Sequence, residues 1–230
     1  MNYTPEAWRA FIEQLQTVSL NGHARPYILE SWLRCRTAQV DPAPAQVLLR
    51  RTSDFDLRVR LEANNSLIES AVPILAALSE SLTPLSHVLY LTDAHGIVLW
   101  STGNNDTMRA YGLLPGFDWS EATMGTNGAG TALAVNRPVA VIGPDHYSLP
   151  FHDATCLAAP LRKPTGELIG AIDLSTHVED AELSHLSDVI KAASDIEGAL
   201  RTRLNPSSIA PSGEDLRGAT MQRRPRINYS

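Results

Sequence analysis

Ser86-His87-Val88-Leu89-Tyr90-Leu91-Thr92-Asp93, followed by Ala94-His95-Gly96 and then Ile97-Val98-Leu99-Trp100-Ser101, is where the chain changes period. Upstream, apolar residues recur at steps of three and four; from Ser86 they follow a period of two. The first run predicts a strand, Asp93 to Gly96 a turn, and the second run the returning strand of a β-hairpin. Loop-like sequence continues to Trp119, and a short helical stretch covers Gly125 to Ala134. Pro138 to Gly143, Ala154 to Leu161 and Leu168 to Ser175 read as three further strands, the last two joined by the turn residues Lys163-Pro164-Thr165-Gly166-Glu167.

Helical patterns flank this block. Thr4 is a candidate cap, with Pro5 at the first helical position and Glu6 at the positive end. Trp8, Phe11, Ile12 and Leu15 then make an apolar stripe. A second short helix is predicted over Tyr27 to Ala38, broken by the proline-rich Val40 to Ala45. Leu57, Leu61, Asn64, Ile68, Ala71, Leu75, Leu78 and Leu82 alternate steps of four and three. That pattern suits a dimer seam with Asn64 as the register-fixing polar residue, and equally an amphipathic helix packed on its own sheet. Pro73 is expected to bend or divide this helix. A long helix is predicted from Glu179 to Leu204, with Glu179, Asp180 and Glu182 in its first turn and Arg201 and Arg203 in its last. The sum is an α+β arrangement: an antiparallel sheet with helices on one face. Residues 1–52 are expected to be a helical extension, 53–204 the sheet domain with its flanking helices, and 205–230 a disordered Ser-, Pro- and Arg-containing tail.

The chain has 230 residues, 43% of them hydrophobic and 19% charged, which is the composition of a globular protein with a real core. A net charge of −6 excludes a wholly basic nucleic-acid coat. Two cysteines, Cys35 and Cys156, are too few for a disulfide framework. No apolar run reaches the ~18–20 residues of a membrane helix, and the N-terminus lacks a signal-peptide core, so a cytoplasmic protein is expected. Lys163 and Lys191 are the two lysines; arginine dominance reads first as genome composition. The arginines of the tail, Arg217, Arg223, Arg224 and Arg226, come without a recognisable reading helix, so direct DNA binding is not expected.

Gly125-Thr126-Asn127-Gly128-Ala129-Gly130 is glycine-rich but lacks the pattern of a nucleotide loop. It reads as a helix start with Thr126 as cap, whose free N–H groups could hold a polar ligand oxygen, or as glycines used for close packing. The seven histidines show no zinc spacing, and neither a metal nor another cofactor is expected. Cys156 lies near His146, His152 and Asp153, a conceivable nucleophile pair, but within the apolar run ATCLAAP, where a thiol packs as a small hydrophobe. Trp100, Trp119, His146, Tyr147, Phe151 and Cys156 could together wall a small-molecule pocket, or simply pack a core.

The run PGFDWSEATMGTNGAGTALAVNRPVAVIGPDHY (115–147), with TCLAAPLRKPTGELIGAIDLST (155–176), SWLRCRTAQVDP (31–42) and RLEANNSLIESAVPILAALSE (60–80), resembles the GAF sensor domain of bacterial acetoin- and glycerol (dihydroxyacetone)-type transcriptional activators. The resemblance implies a GAF fold: five or six antiparallel strands, helices on one face and a ligand pocket on the other. It implies a non-enzymatic sensor that binds a small metabolite or a partner protein and signals through dimer helices. Family members add an ATPase module and a helix-turn-helix; no nucleotide-binding loop occurs here, so the expectation is a stand-alone sensor or a regulatory fragment. By motif position, Asn127 and Thr131 should face the pocket, His146 and Tyr147 should close over it, and Cys156 and Asp173 should form its floor and edge. Trp119 joins this set. The alternative is a redox enzyme on the same fold, of the free methionine sulfoxide reductase kind, using Cys156; Cys35 is a poor resolving thiol for it.

Overall fold

The computed structural model describes residues 4–13 and 25–204. The expected tail lies outside the described residues. Eight α-helices occur among them: α1 (Pro5–Ile12), α2 (Pro26–Thr37), α3 (Asp54–Ala63), α4 (Asn65–Ser81), α5 (Asn105–Tyr111), α6 (Glu121–Met124), α7 (Gly128–Val135) and α8 (His185–Leu204). Five strands, β1 (His87–Asp93), β2 (Val98–Gly103), β3 (Val139–Ile142), β4 (Ala154–Arg162) and β5 (Leu168–His177), form one antiparallel sheet in the order β2-β1-β5-β4-β3.

The strands are apolar in both registers because both faces of the sheet are covered, and β1 is buried at all seven positions. Leu89, Leu91, Leu157, Ala159, Leu161, Ile172 and Leu174 face α4 and α8, whose Leu67, Ala71, Leu75, Val189 and Ile196 complete that layer. Val88, Tyr90, Val98 and Ala171 point the other way, toward Met108, Trp119, Met124, Ala129 and Phe151 of the short-helix region. The two long helices thus occupy one face, as expected, and α5 to α7 share the opposite face with a cavity.

The heptad pattern serves this intramolecular packing. Leu75 and Ala71 have no exposed surface, Leu82 is buried, and Leu61, Ile68 and Leu78 pack partly buried on the same core. The α4 portion of the expected dimer seam is therefore used by the chain's own sheet. Asn64 lies at a break in the helix rather than within it. It sits between α3 and α4, with φ −105° and ψ 12°, and its side-chain amide donates to the Arg60 carbonyl at 2.8 Å. The helix divides at Asn64, while Pro73 lies inside α4 without ending it. Leu57 and α3 as a whole bury nothing fully; Phe55 and Val59 are exposed there.

The described helices of residues 1–52 pack on the sheet domain. Trp8 and Phe11 of α1 and Ile28 and Trp32 of α2 share one apolar cluster with Val139, Val141, Cys156 and Ala158. Indole Nε1 of Trp8 donates to the Tyr147 carbonyl at 2.9 Å, and that of Trp32 to the Asp145 carbonyl at 2.7 Å. Tyr27 holds β3: its hydroxyl donates to the Ala140 carbonyl at 2.9 Å and accepts the Ala140 N–H at 3.2 Å. Arg34 grips buried Glu121 through two hydrogen bonds, of 2.7 and 3.0 Å, tying α2 to α6.

The last helix begins six residues later than its acidic residues suggest. Strand β5 runs on to His177, whose Nδ1 accepts the Glu179 N–H at 3.3 Å, and Val178–Asp180 form a 3-10 turn. Glu179, Asp180 and Glu182 are left outside α8, with Asp188 the acidic residue of its first turn.

Candidate functional site

A cavity of about 320 Å³ opens on the sheet face opposite α4 and α8. The antiparallel register creates its floor: Val141 pairs with Cys156, and Cys156 with Ser175. Trp119 and Phe151 form one wall, with ring centroids 5.5 Å apart, and Tyr111, also in the lining, meets Phe151 at a tilt with centroids 5.8 Å apart. Asp153, His177 and Asp180 stand exposed at the rim. No lysine or arginine is among the described residues that line it.

A chain of polar contacts runs along the floor. His146 Nδ1 lies 2.9 Å from the Gly143 carbonyl, and His146 Nε2 lies 3.4 Å from Cys156 Sγ. The sulfur is also 3.4 Å from Ser175 Oγ, whose hydroxyl donates to Asp173 Oδ1 at 3.0 Å. His146 is placed by the 3-10 turn Gly143–Asp145, which Gly143 starts with φ +53°. Burial pulls the imidazole down to about 4, with the Gly143 carbonyl opposing, so it is neutral near pH 7. Burial, reinforced by Asp173, pushes the Cys156 thiol far above its ordinary range. Burial also raises Asp173 to about 7, opposed by hydrogen bonding from Ser175 and Tyr90 and by the Ala129 amide.

The structure brings Trp119, His146 and Cys156 together at the cavity and leaves the other four expected residues elsewhere. Asn127 is the N-cap of α7. Its Oδ1 accepts the Gly130 N–H at 2.8 Å, and its Nδ2 donates to the Gly125 and Trp119 carbonyls at 2.8 and 3.1 Å. No side-chain polar atom remains for a ligand, and the cap expected at Thr126 is made by Asn127 instead. Thr131 is fully buried and accepts the Asn127 N–H at 3.3 Å. Tyr147 turns away from the cavity into the cluster with α1 and α2. Asp173 lies beneath α7, so close to Gly128 that a Cβ there would be 1.8 Å from Oδ2. The N–H groups at the start of α7 therefore face this internal carboxyl rather than open space. Trp100 packs on the α4/α8 face.

Sequence reading did not single out Ser175, Val88, Tyr111 or Leu113. Ser175 had a usable signal: two residues beyond Asp173 on one strand, it must share a face with it. Tyr111 and Leu113 came from a segment without periodicity.

The Cys156–His146 contact is not an activated pair. A thiol raised by burial and an imidazole lowered by it stay neutral together, whereas reactive cysteines sit in environments that favour the thiolate. Cys35 is buried in a different place, between Ser31 and Thr126, and pushed up to about 11 by burial; both thiols are free. The arrangement does not favour a two-thiol reductase. Among the described residues no group of three or more His, Cys, Asp or Glu is arranged to hold a metal, and no helix is long and apolar enough to cross a membrane.

The model of the family described as "MimR, N-terminal domain" matches residues 4–198. A protein of Rhodococcus erythropolis described as an uncharacterized 47.3 kDa protein in the thcA 5' region is 33% identical over 199 residues, covering 84% of this chain and 45% of that protein. The acetoin dehydrogenase operon transcriptional activator AcoR of Bacillus subtilis is 30% identical, covering 88% of this chain and 34% of AcoR. The propane 2-monooxygenase operon transcriptional activator MimR of Mycolicibacterium smegmatis is 31% identical, covering 89% and 35%. The chain thus spans less than half the length of these relatives. Among solved structures, the Escherichia coli DhaR(N)-DhaL complex matches with a TM-score of 0.75 at 20% identity, covering 80% of this chain and 63% of that chain, which shows a shared fold. The fold is the GAF type implied by the sequence resemblance.

Proposed function

The chain belongs to the MimR N-terminal domain family, and from that premise we propose that it is the signal-sensing domain of a bacterial transcriptional regulator, without catalytic activity of its own. Its relatives in Bacillus and Mycolicibacterium are transcriptional activators. The observation that carries the reading is the cavity with its buried, neutral His146–Cys156–Ser175 floor. Aromatic walls with a few fixed polar groups are the common make-up of a small-molecule site. Ser175 faces the cavity while Leu174 beside it packs in the α4/α8 layer, so one strand separates ligand from helices. Ligand binding biases these helices by its differential affinity for their packings and by nothing else. The residues proposed to contact the ligand are Trp119, His146, Cys156 and Ser175. Asn127, Thr131 and Asp173 support this floor from α7 and β5, and Tyr147 anchors its loop to α1 and α2.

A second reading is a protein partner. The matching structure is of a complex, and α3 presents exposed Phe55 and Val59. The expected homodimer is proposed here too, with its contact on this side of α3 rather than on the α4 seam. The setting remains the cytoplasm, and no direct contact with DNA is proposed.

Native mass spectrometry of freshly purified protein tests these readings together. The expected result is a dimer with one small-molecule adduct per chain, or one formed on adding a metabolite extract. A chain that stays empty under both conditions overturns the small-molecule reading and leaves α3 as the docking surface. A monomer overturns the dimer.

A further inference from the structure

One wall of the cavity is a loop held largely by the N-terminal helices. His146, Pro150, Phe151 and Asp153 line the cavity from the stretch between β3 and β4. The loop satisfies part of its own backbone: the Ser148 and Leu149 carbonyls accept the Phe151 and His152 N–H groups, each at 3.1 Å, and His152 Nε2 donates to the His146 carbonyl at 3.2 Å. Other groups turn outward to α1, α2 and the chain after them. The Tyr147 carbonyl takes the indole N–H of Trp8, and the Asp145 carbonyl takes that of Trp32. The Leu149 N–H donates to the Pro42 carbonyl at 2.8 Å, and the fully buried Asp145 carboxylate pairs with Arg25 at 2.8 Å. Toward the sheet, Phe151 packs on Trp119, Ser148 Oγ lies 3.4 Å from the Met124 carbonyl, and the Asp153 carbonyl accepts the Val178 N–H at 2.8 Å.

Of the elements that grip the loop, α1 is the one built to let go. It has eight residues, against the ~12–15 that an isolated helix needs in water. Two side chains dock it. Trp8 bonds to Tyr147 and meets the His152 ring edge-on, with centroids 4.8 Å apart. Phe11 packs on Trp32 at 5.1 Å, beneath the Arg36 guanidinium. By contrast, α2 has anchors of its own, Tyr27 on Ala140 and Arg34 on Glu121. α1 can therefore leave while α2 stays, and away from its seat it unwinds. Its departure removes Trp8 from Tyr147 and His152 together, in the middle of the cavity wall. Small peripheral units of this kind open at a lower free energy than the whole domain.

We propose that α1 is a latch on the cavity: docked through Trp8, it holds the 143–153 loop against the sheet, and undocked, it frees His146 and Phe151 to swing outward and uncovers the floor. The latch goes beyond the ligand-binding reading and is tested with no ligand added. Under that reading, a ligand seated on His146 and Phe151 favours the closed loop, so it tightens the docking of α1 by the same factor that docking tightens the ligand. The N-terminal helix is then a second route for the signal, beside α4 and α8.

Cys156 reports the floor. It lines the cavity at 3% exposure, and burial keeps it a thiol while the wall is closed. Alkylation requires the thiolate, so it follows opening of the wall. The full chain is treated with iodoacetamide, and Cys156 and Cys35 are followed separately by peptide mass. In the parent, Cys156 is expected to react at least about 100-fold more slowly than in the urea-unfolded chain. Trp8→Phe keeps a ring but loses the N–H donated to Tyr147; it should speed Cys156 at least about fivefold and leave Cys35, beneath α2, unchanged. Ile196→Val, a comparable loss in the α8 layer, should change neither thiol. Hydrogen exchange on the parent gives a second reading: the amides of α1 and of residues 146–153 should open together. Several outcomes overturn the latch: a parent Cys156 as reactive as the unfolded one, no acceleration in Trp8→Phe, or equal acceleration in Ile196→Val or at Cys35. So does an α1 that exchanges freely while the loop stays protected. None of these results touches the ligand-binding reading, which the adduct in the mass spectrum judges.

Discussion

Gly128→Ala is expected to lose at least about 3 kcal/mol of stability, a large share of the roughly 5–15 kcal/mol that holds an ordinary domain folded. The first residue of α7 lies directly on the sheet. A methyl group there would sit 1.8 Å from Asp173 Oδ2 and 2.7 Å from Cys156 Cβ, distances no real Cβ tolerates. Neither neighbour can retreat: Asp173 is fully buried on β5, and Cys156 lies on β4 between two hydrogen-bonded strands. Gly198→Ala is the matched control. It lies inside α8, where an added methyl group would meet nothing within 4 Å, so alanine should stabilise by about 0.5–1 kcal/mol through helix propensity. Urea unfolding of the two variants beside the parent checks both. A Gly128→Ala protein with an unchanged midpoint would mean that α7 does not sit on Asp173 and Cys156 as described.

The second large effect is in pH. Asp173 titrates at about 7 in the folded chain against 3.8 ordinarily. Between those values the native state holds a proton that the unfolded chain has released. Its contribution therefore falls as pH rises from 4 to 7 and stays low above, by on the order of 4 kcal/mol across the window. His146 runs the other way. At about 4 against 6.5, it stays neutral in the native state while the unfolded chain takes up a proton. Its contribution is complete above pH 6.5 and is lost as pH falls toward 4, by on the order of 3 kcal/mol. From pH 4 to 6.5 the two slopes oppose, so these groups nearly cancel in the parent. Removing either uncovers the other. Asp173→Asn should be more stable than the parent at pH 8, and its stability should drop on acidification. His146→Phe should gain stability relative to its own pH 8 value as pH falls toward 4. Chemical unfolding at pH 4.5, 6 and 8 reads all three proteins. Parallel curves for parent and variants would show that these side chains titrate normally.

The sheet was legible in the sequence because its strands are separated by strong turn chemistry. The Lys163–Glu167 turn and the Asp93–Gly96 turn both stand where the residues placed them, with Asp93 Oδ1 accepting the His95 and Ile97 N–H groups at 2.9 and 3.0 Å. The Leu57–Leu82 spacing was equally visible, but its partner was not. A helix packed on its own sheet and a helix packed on a second chain need the same apolar stripe, and only the positions of Leu75 and Ala71 against β-strand residues decide between them. The start of α8 was misplaced because acidic residues suit a helix N-terminus wherever they stand, while the extension of β5 to His177 depends on pairing with Ala154 across the sheet.

The candidate site was about half legible, for a chemical reason. Asn127 and Thr131 have the polar groups of ligand-binding residues, and the glycine-rich start of α7 consumes those groups internally. Polarity in a sequence shows that a partner is required, without showing whether that partner is backbone or ligand. The contact between Cys156 and His146 was suspected from ten residues of separation. Their neutrality could not be, since it comes from burial under α7 and Phe151 rather than from their neighbours along the chain.

The hold of Tyr27 on Ala140 bears on how the chain can be shortened. β3 is the last strand of the sheet, and its outward N–H and C=O groups are a template for strand addition from another molecule. Tyr27 occupies both groups of Ala140, and Arg25 takes the same carbonyl at 2.9 Å. A fragment cut at residue 53, where composition alone would place the boundary, bares that border together with Val139 and Val141. It should therefore self-associate through its sheets, while one beginning before Arg25 should stay dispersed.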